Sequence, residues 1–297
     1  MVEQTSFERL TDLAMSEPGR TQMRPVIQKE LLHYDILYRL DAEGLLDQLT
    51  FQGGTALRLC YGSNRFSEDL DFVGGRNFSR KQLEPIKSCI EYYIGQRYGL
   101  TVTVQEPREL KAERENADLR VDKWQVSVVT APTRPDVPQQ RIKIEVANID
   151  AYSRDPRPLT VNYAFLPDGY GDTLVLVETL DEIMADKLVS LVNTTRYIRN
   201  RDIWDLRWLT QQGANLNSEW VARKIEDYSV EQYMAKLAAM IDRLPDIINS
   251  NQFQAEMKRF IPAPVIDRTL AKPKFVSFLI KEVTGLLQSL KQELDIH

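Results

Sequence analysis

Between residues 22 and 48 the apolar positions Ile27, Leu31, Leu32, Ile36, Leu37 and Leu40 recur near helical spacing, which predicts a helix with Pro25 in its first turn. A shorter helix is expected ahead of it. The period changes at Leu49: a strand over 49–52, a break at Gly53-Gly54, a helix over 55–60 and a strand over 70–73. A helix carrying Leu83, Ile86, Ile90, Tyr93 and Ile94 follows, then extended stretches over 101–105, 123–130 and 141–149. In the last of these Ile142, Ile144 and Val146 alternate with Lys143 and Glu145, so the two charged residues share one face. Residues 150–172 are rich in Pro, Asp, Gly and Tyr and read as a loop, closed by a strand over 173–177. Beyond it the pattern is helical: 180–192, 199–211, 218–225, 231–248 with a break at Pro245, and 276–294. The fold class this predicts is α/β (α+β): a mixed-sheet lobe with flanking helices over residues 1–177, then a helical lobe over 178–297.

Composition narrows the chemistry. With 43% hydrophobic and 27% charged residues the chain is a globular one. Its apolar runs, such as 275–280, fall far short of the ~18 residues a membrane span needs. Without a basic and then apolar leader at the start, a cytoplasmic protein with no membrane partner is expected. Cys60 and Cys89 stand alone in apolar stretches and read as buried, reduced thiols. His33 and His297 are the only histidines, so imidazole-based triads and zinc sites are poorly supplied. Carboxylates, lysine and hydroxyls remain. A net charge of −5 argues against a protein that coats nucleic acid non-specifically, but a local basic groove is compatible with it.

The densest chemistry lies between Gly53 and Phe72. A Gly53-Gly54-Thr55 turn opening a helix after a strand presents unpaired backbone N–H groups and the positive helix end to an anion such as a triphosphate. Asp69 and Asp71, two apart in a strand, project from one face at about 6–7 Å separation. A pair like this can be the solvent face of an edge strand, or it can hold two Mg²⁺ ions for phosphoryl transfer. Glu145, on a neighbouring strand and the same face, favours the second by completing an oxygen-ligand set.

Two helical stripes carry charges where apolar residues are expected. Lys187 sits near the centre of the arc formed by Leu180, Ile183, Met184, Leu188 and Leu191, and Asp202 shares a stripe with Leu206 and Leu209, with Asp205 at its edge. A buried Lys187–Asp202 ion pair accounts for both; a lysine facing a cleft that receives phosphate accounts for them with a function.

Gly53-Gly54-Thr55-Ala56-Leu57 followed by Arg65-x-Ser67-x-Asp69-Leu70-Asp71-Phe72 resembles the first motif of the nucleotidyltransferase superfamily, in the form carried by the AbiEii/AbiGii toxin family of bacterial abortive-infection and type IV toxin–antitoxin systems. Leu180-x-Glu182-Ile183-x-Ala185-x-Lys187-Leu188 and Arg199-x-Arg201-Asp202-Ile203-x-Asp205-Leu206 are similar to its later motifs, so the likeness spans residues 51–209. In the wider superfamily the turn is Gly-Ser, and Gly54 here takes the serine's place. The resemblance implies an Mg²⁺-dependent enzyme with an NTP as substrate, and the residues divide among its tasks as follows. Asp69, Asp71 and Glu145 bind metal. Gly53, Gly54, Thr55, Arg65 and Ser67 cradle the nucleotide, with Lys187 on its phosphates. Asp202 supports the site, though the choice between Asp202 and Asp205 stays open. It also implies an RNA acceptor, in characterised members the 3′ end of tRNA, with arrest of translation and growth as the result, and a cognate antitoxin as partner. Arg196, Arg199, Arg201 and Arg207 interleaved with Tyr197, Trp204 and Trp208, plus Lys258, Arg259, Lys272 and Lys274, are candidate RNA contacts, though each also suits a solvated helix face. A protein hydroxyl or small molecule as acceptor, and a non-catalytic partner-binding module, are the alternatives; the sequence leaves the oligomeric state open.

Overall fold

The computed structural model describes residues 6–107, 119–134, 136–194 and 197–296. The chain divides into two compact units, residues 1–177 and 178–297.

In the first unit, α1 (Phe7–Met15) and α2 (Arg24–Ala42) precede β1 (Thr50–Gln52), α3 (Gly53–Cys60) and β2 (Leu70–Val73). Then come α4 (Ile86–Tyr98), β3 (Val102–Gln105), β4 (Val121–Val128), β5 (Gln140–Ala147), β6 (Asp155–Pro158) and β7 (Leu174–Val177). The strands form one seven-stranded mixed sheet in the order β3-β4-β5-β2-β1-β7-β6. Pairing is parallel between β2 and β5 and between β1 and β7, and antiparallel elsewhere. Along β4 and β5 buried and solvent-facing residues alternate: Trp124, Val126, Ile142, Ile144 and Val146 turn inward, where α2 and α4 cover the sheet. Helix α2 stops at Ala42 rather than running on to Gln48, because Gly44 takes a left-handed φ of 69° and Leu45 N–H returns to the Leu40 carbonyl at 2.9 Å.

Strand β6 lies inside the stretch that reads as a loop. Pro156 and Pro158 hide it from a pattern reading, yet proline is tolerated on a strand with only one neighbour, and β6 is the outermost strand beside β7.

The second unit is helical: α5 (Leu180–Val192), α6 (Asn200–Gln211), α7 (Ser218–Asp227), α8 (Tyr233–Asn249), α9 (Asn251–Phe260), α10 (Ala263–Arg268) and α11 (Pro273–Ile296). Thr179 caps α5 by accepting from the Glu182 N–H. Helix α8 continues through Pro245 instead of breaking there, while α9 and α10 are additional to the elements expected from periodicity. No helix among the described residues is long and apolar enough to cross a membrane. Cys60 and Cys89 are buried free thiols.

Candidate active site

The glycine turn stands where the sequence placed it, as the start of α3 immediately after β1. Gly53 has φ 77°, a left-handed conformation that disfavours any side chain, and a Cβ there would come within 2.9 Å of Asp71 Oδ2. Gly54 is needed for a different reason. A Cβ on it would fall 2.4 Å from Arg65 Nη2 and 2.9 Å from Ser67 Oγ, so these two side chains fill the space of the missing serine. Arg65 is buried, and its Nη1 donates to the Phe66 carbonyl at 2.7 Å. The Thr55 hydroxyl donates to the backbone carbonyl of Asp69, tying the first turn of α3 to the strand that bears the acids. Thr55 thus spends its hydroxyl inside the fold, leaving its backbone N–H as its route to an anion.

Strand β2 is central, flanked by β1 and β5, so the acids do not decorate a sheet edge. The parallel register sets Asp71 directly beside Glu145, and the β1–β2 register sets Gln52, the residue before the turn, on the other side of Asp71. Asp69 precedes β2 and is fixed by a backbone contact, its Oδ1 accepting from the Lys143 N–H at 3.0 Å. Behind the acids, Lys29 Nζ reaches Glu68 at 2.8 Å and His33 Nε2 lies 3.0 Å from the Glu68 carbonyl, anchoring this segment to α2. Burial pushes His33 down to about 4, against the raising effect of that carbonyl and of Glu30. His33 is therefore a neutral structural group; His297 lies outside the described residues.

Asp71 and Glu145 lie side by side in the sheet with Asp69 just before β2, and as hard oxygen donors the three carboxylates are of the type that suits a divalent cation such as Mg²⁺. Their oxygens are not gathered at one point. Among the described residues the carboxylate oxygens that all lie within 4.8 Å of one another belong to Glu178, Glu182 and Asp186. Those of Asp69 and Glu145 turn instead to lysines: Lys143 Nζ stands 4.0 Å from Asp69 and Lys123 Nζ 3.0 Å from Glu145.

In the second unit Lys187 is buried with its ammonium 2.6 Å from Asp202 Oδ1 and 3.0 Å from Asp205 Oδ2. Ser190 Oγ donates to Asp202 Oδ2 at 2.7 Å. Burial alone would raise the Asp202 carboxyl; the Lys187 ammonium and Arg199 outweigh it and hold Asp202 below the usual carboxylate range. Both charges flagged by the helical stripes are thus partners of one another, and Asp205 is as engaged as Asp202.

The Glu178–Glu182–Asp186 cluster went unnoticed in the sequence. It runs at i, i+4, i+8 into and along α5, and its cation is supplied by the protein: Lys224 Nζ, fully buried, lies 3.3, 2.8 and 3.0 Å from the three in that order. Burial, then Asp186, pushes the Glu178 carboxyl well above the usual carboxylate range, against the lowering effect of the Lys224 ammonium.

Several of the aromatic and basic residues offered for RNA are also placed differently. Trp204, Trp208 and Arg207 are buried, the Arg207 guanidinium stacking 4.2 Å above the Trp204 ring. Burial lowers Arg207 to about 10. The alternation of aromatic and basic residues in α6 is therefore interior packing, and bases cannot stack there. Tyr197, Lys258, Arg259, Lys272 and Lys274 are exposed; Arg196 lies outside the described residues.

A family model described as the nucleotidyl transferase AbiEii toxin of type IV toxin–antitoxin systems matches residues 35–279. Among solved structures, the chain is similar to MenT4, a nucleotidyltransferase toxin of Mycobacterium tuberculosis H37Rv, with a TM-score of 0.60 at 18% identity over 97% of this chain and 92% of that one. It is also similar to JHP933 from Helicobacter pylori, with a TM-score of 0.46 at 19% identity over 91% of this chain and 93% of that one. No curated protein sequence matches it.

Proposed function

The chain belongs to the AbiEii nucleotidyl transferase toxin family and is a nucleotidyltransferase, and from that premise we propose that it moves nucleotides from an NTP to an RNA acceptor, the 3′ end of tRNA, in an Mg²⁺-dependent reaction that blocks translation and growth. The observation that carries this reading is the register of β1, β2 and β5, which lines up Gln52, Asp71 and Glu145 beside the N-terminus of α3. Metal held by Asp69, Asp71 and Glu145 would supply Lewis-acid stabilisation of the attacking and leaving oxygens. The chain's own groups do the rest. The backbone N–H groups opening α3 receive the triphosphate, and Arg65 and Ser67, packed against Gly54, shape the floor beneath it. Glu145 takes the proton of the acceptor hydroxyl. Lys187 exchanges one of its carboxylate partners for a phosphate oxygen, with Asp202 positioning it as pyrophosphate leaves. A type IV family implies a cognate antitoxin as partner.

Incubation of the purified protein with total RNA and each labelled NTP tests the proposal. Label should enter tRNA at its 3′ end only with a divalent cation, and Asp71→Asn should lower incorporation by at least about 100-fold. Label appearing on protein, or incorporation unchanged in Asp71→Asn, overturns it.

A further inference from the structure

The exposed face of β3, β4 and β5 begins at the acids and ends at the sheet edge. The register builds it in rows. Gln105 on β3 faces Gln125 on β4, which faces Lys143 on β5, and the next row sets Lys123 beside Glu145 and Glu145 beside Asp71. Arg141, opposite Ser127, extends the same face. Lys123, Lys143 and Arg141 are exposed, and a groove of about 340 Å³ is lined in part by Gln105, Gln125, Lys123 and Lys143. Two carboxylates also border it: Glu106 is exposed, while Asp122 is buried and bound to Arg120.

We propose that Lys123 and Lys143 are the resident counter-ions of the metal-binding carboxylates, released when metal binds and then used to hold the backbone phosphates of the RNA acceptor on this face. The inference rests on the nucleotidyl-transfer reading above. Three observations carry it. Lys123 Nζ lies 3.0 Å from Glu145 and Lys143 Nζ 4.0 Å from Asp69, and the oxygens of the three acids do not all lie within 4.8 Å of one another. A divalent cation needs the same oxygens, so its binding leaves two exposed ammoniums without their partners, beside the reacting centre. The sheet order β4-β5-β2-β1 also places Lys123 and the glycine turn on opposite sides of Asp71 and Glu145, while Lys143 stands on β5 itself, two residues before Glu145. An in-line displacement needs the attacking hydroxyl opposite the leaving pyrophosphate, so an acceptor strand belongs on the β5-β4-β3 side when the triphosphate lies at the turn. The chemistry there is complementary: three cations for phosphate, and glutamine amides that can bond to base edges or ribose hydroxyls.

The test uses the full chain and its Lys123→Gln/Lys143→Gln double variant, with three titrations. With Mn²⁺ alone, followed by its spin resonance, the variant should bind metal roughly two- to five-fold more tightly, since no ammonium competes for the oxygens. With a short single-stranded RNA carrying a free 3′-hydroxyl, at saturating Ca²⁺, the variant should bind more weakly. Its slope of log affinity against log salt should be shallower by about 1.4, the value for two lost phosphate contacts on a single strand. Metal should tighten RNA binding in the parent and not in the variant. With the Ca²⁺–NTP complex the two proteins should bind alike. Unchanged RNA affinity and salt slope overturn the proposal, as does loss of NTP rather than RNA binding, which would assign the lysines to the triphosphate. A parent that binds no NTP refutes the nucleotidyl-transfer reading itself, whereas that reading survives if NTP binds and only the RNA titrations fail.

Discussion

Restoring serine at position 54 tests the account of the glycine turn. Gly54 is not among the left-handed glycines, so Gly54→Ser introduces no backbone strain, and any cost comes from the side chain. The new Cβ would meet Arg65 Nη2 at 2.4 Å and Ser67 Oγ at 2.9 Å. Ordinary contact begins about 1 Å further out, so the guanidinium must withdraw by roughly that distance. Withdrawal breaks the 2.7 Å bond from Nη1 to the Phe66 carbonyl in a buried setting. A lost hydrogen bond to a charged group costs about 1.5–3 kcal/mol. For a unit of this size that lowers the melting temperature by roughly 3–12 °C. Differential scanning calorimetry on Gly54→Ser, Arg65→Ala and the double variant gives the coupling directly. With Arg65 trimmed, serine fits and its further cost should shrink to a few tenths of a kcal/mol, a coupling of about 2 kcal/mol. If serine costs the same with and without Arg65, the claim that the guanidinium occupies the serine's space is wrong.

Two further outcomes follow from buried charge. Between pH 6.5 and about 4 the unfolded chain protonates at His33 while the folded one does not, so this group removes about 3 kcal/mol of stability as pH falls. Asp35, pushed up to about 6 by burial against the lowering effect of Arg97, works the other way, and its contribution is lost as pH rises through 6. Chemical denaturation across pH 4 to 6.5 should therefore show His33→Gln gaining stability on acidification and Asp35→Asn losing it more steeply than the parent; equal slopes in all three would sink the assignment. In the second unit, Lys224→Met strands Glu178, Glu182 and Asp186 without their ammonium and should cost about 3–5 kcal/mol. Glu178→Gln keeps an oxygen for Lys224 and removes a carboxyl whose ionised form burial disfavours, so it should cost less than Lys224→Met; an equal loss in calorimetry would refute this.

The elements that sequence reveals here are those whose period is set locally. The strand–turn–helix–strand run from Thr50 to Val73 is legible because the alternation of β1, the glycines and the stripe of α3 each obey a local rule. Asp71 and Glu145 could be placed on one face by alternation alone, but their register, side by side, is a property of β2–β5 pairing across more than seventy residues. What the sequence hides is the identity of partners. Lys187 reads as a cation in an apolar stripe; that two aspartates hold it is decided by how α5 meets α6. Glu178, Glu182 and Asp186 look like a solvated acidic face until α7 brings Lys224 against them. Trp204 and Arg207 show the reverse error, since a mixed aromatic and basic run suits both a nucleic-acid surface and an interior stack. Helix α9 carries Phe253, Met257 and Phe260 at helical spacing, yet the preceding Asn249-Ser250-Asn251 reads as a turn and masks it.

The prolines of β6 bear on how this protein behaves when it accumulates. Asp155 pairs with Val177 and Arg157 with Val175, and beyond the strand Leu159 donates inward to the Thr173 carbonyl. On that parity the backbones of residues 156 and 158 face outward, and both are prolines. The outer rim of the sheet therefore offers carbonyls there but no N–H donors, and a second strand cannot zip onto it. A chain made in excess of whatever restrains it is thus denied one common route to self-templated aggregation, and growth of the sheet by strand addition is disfavoured at the β6 end.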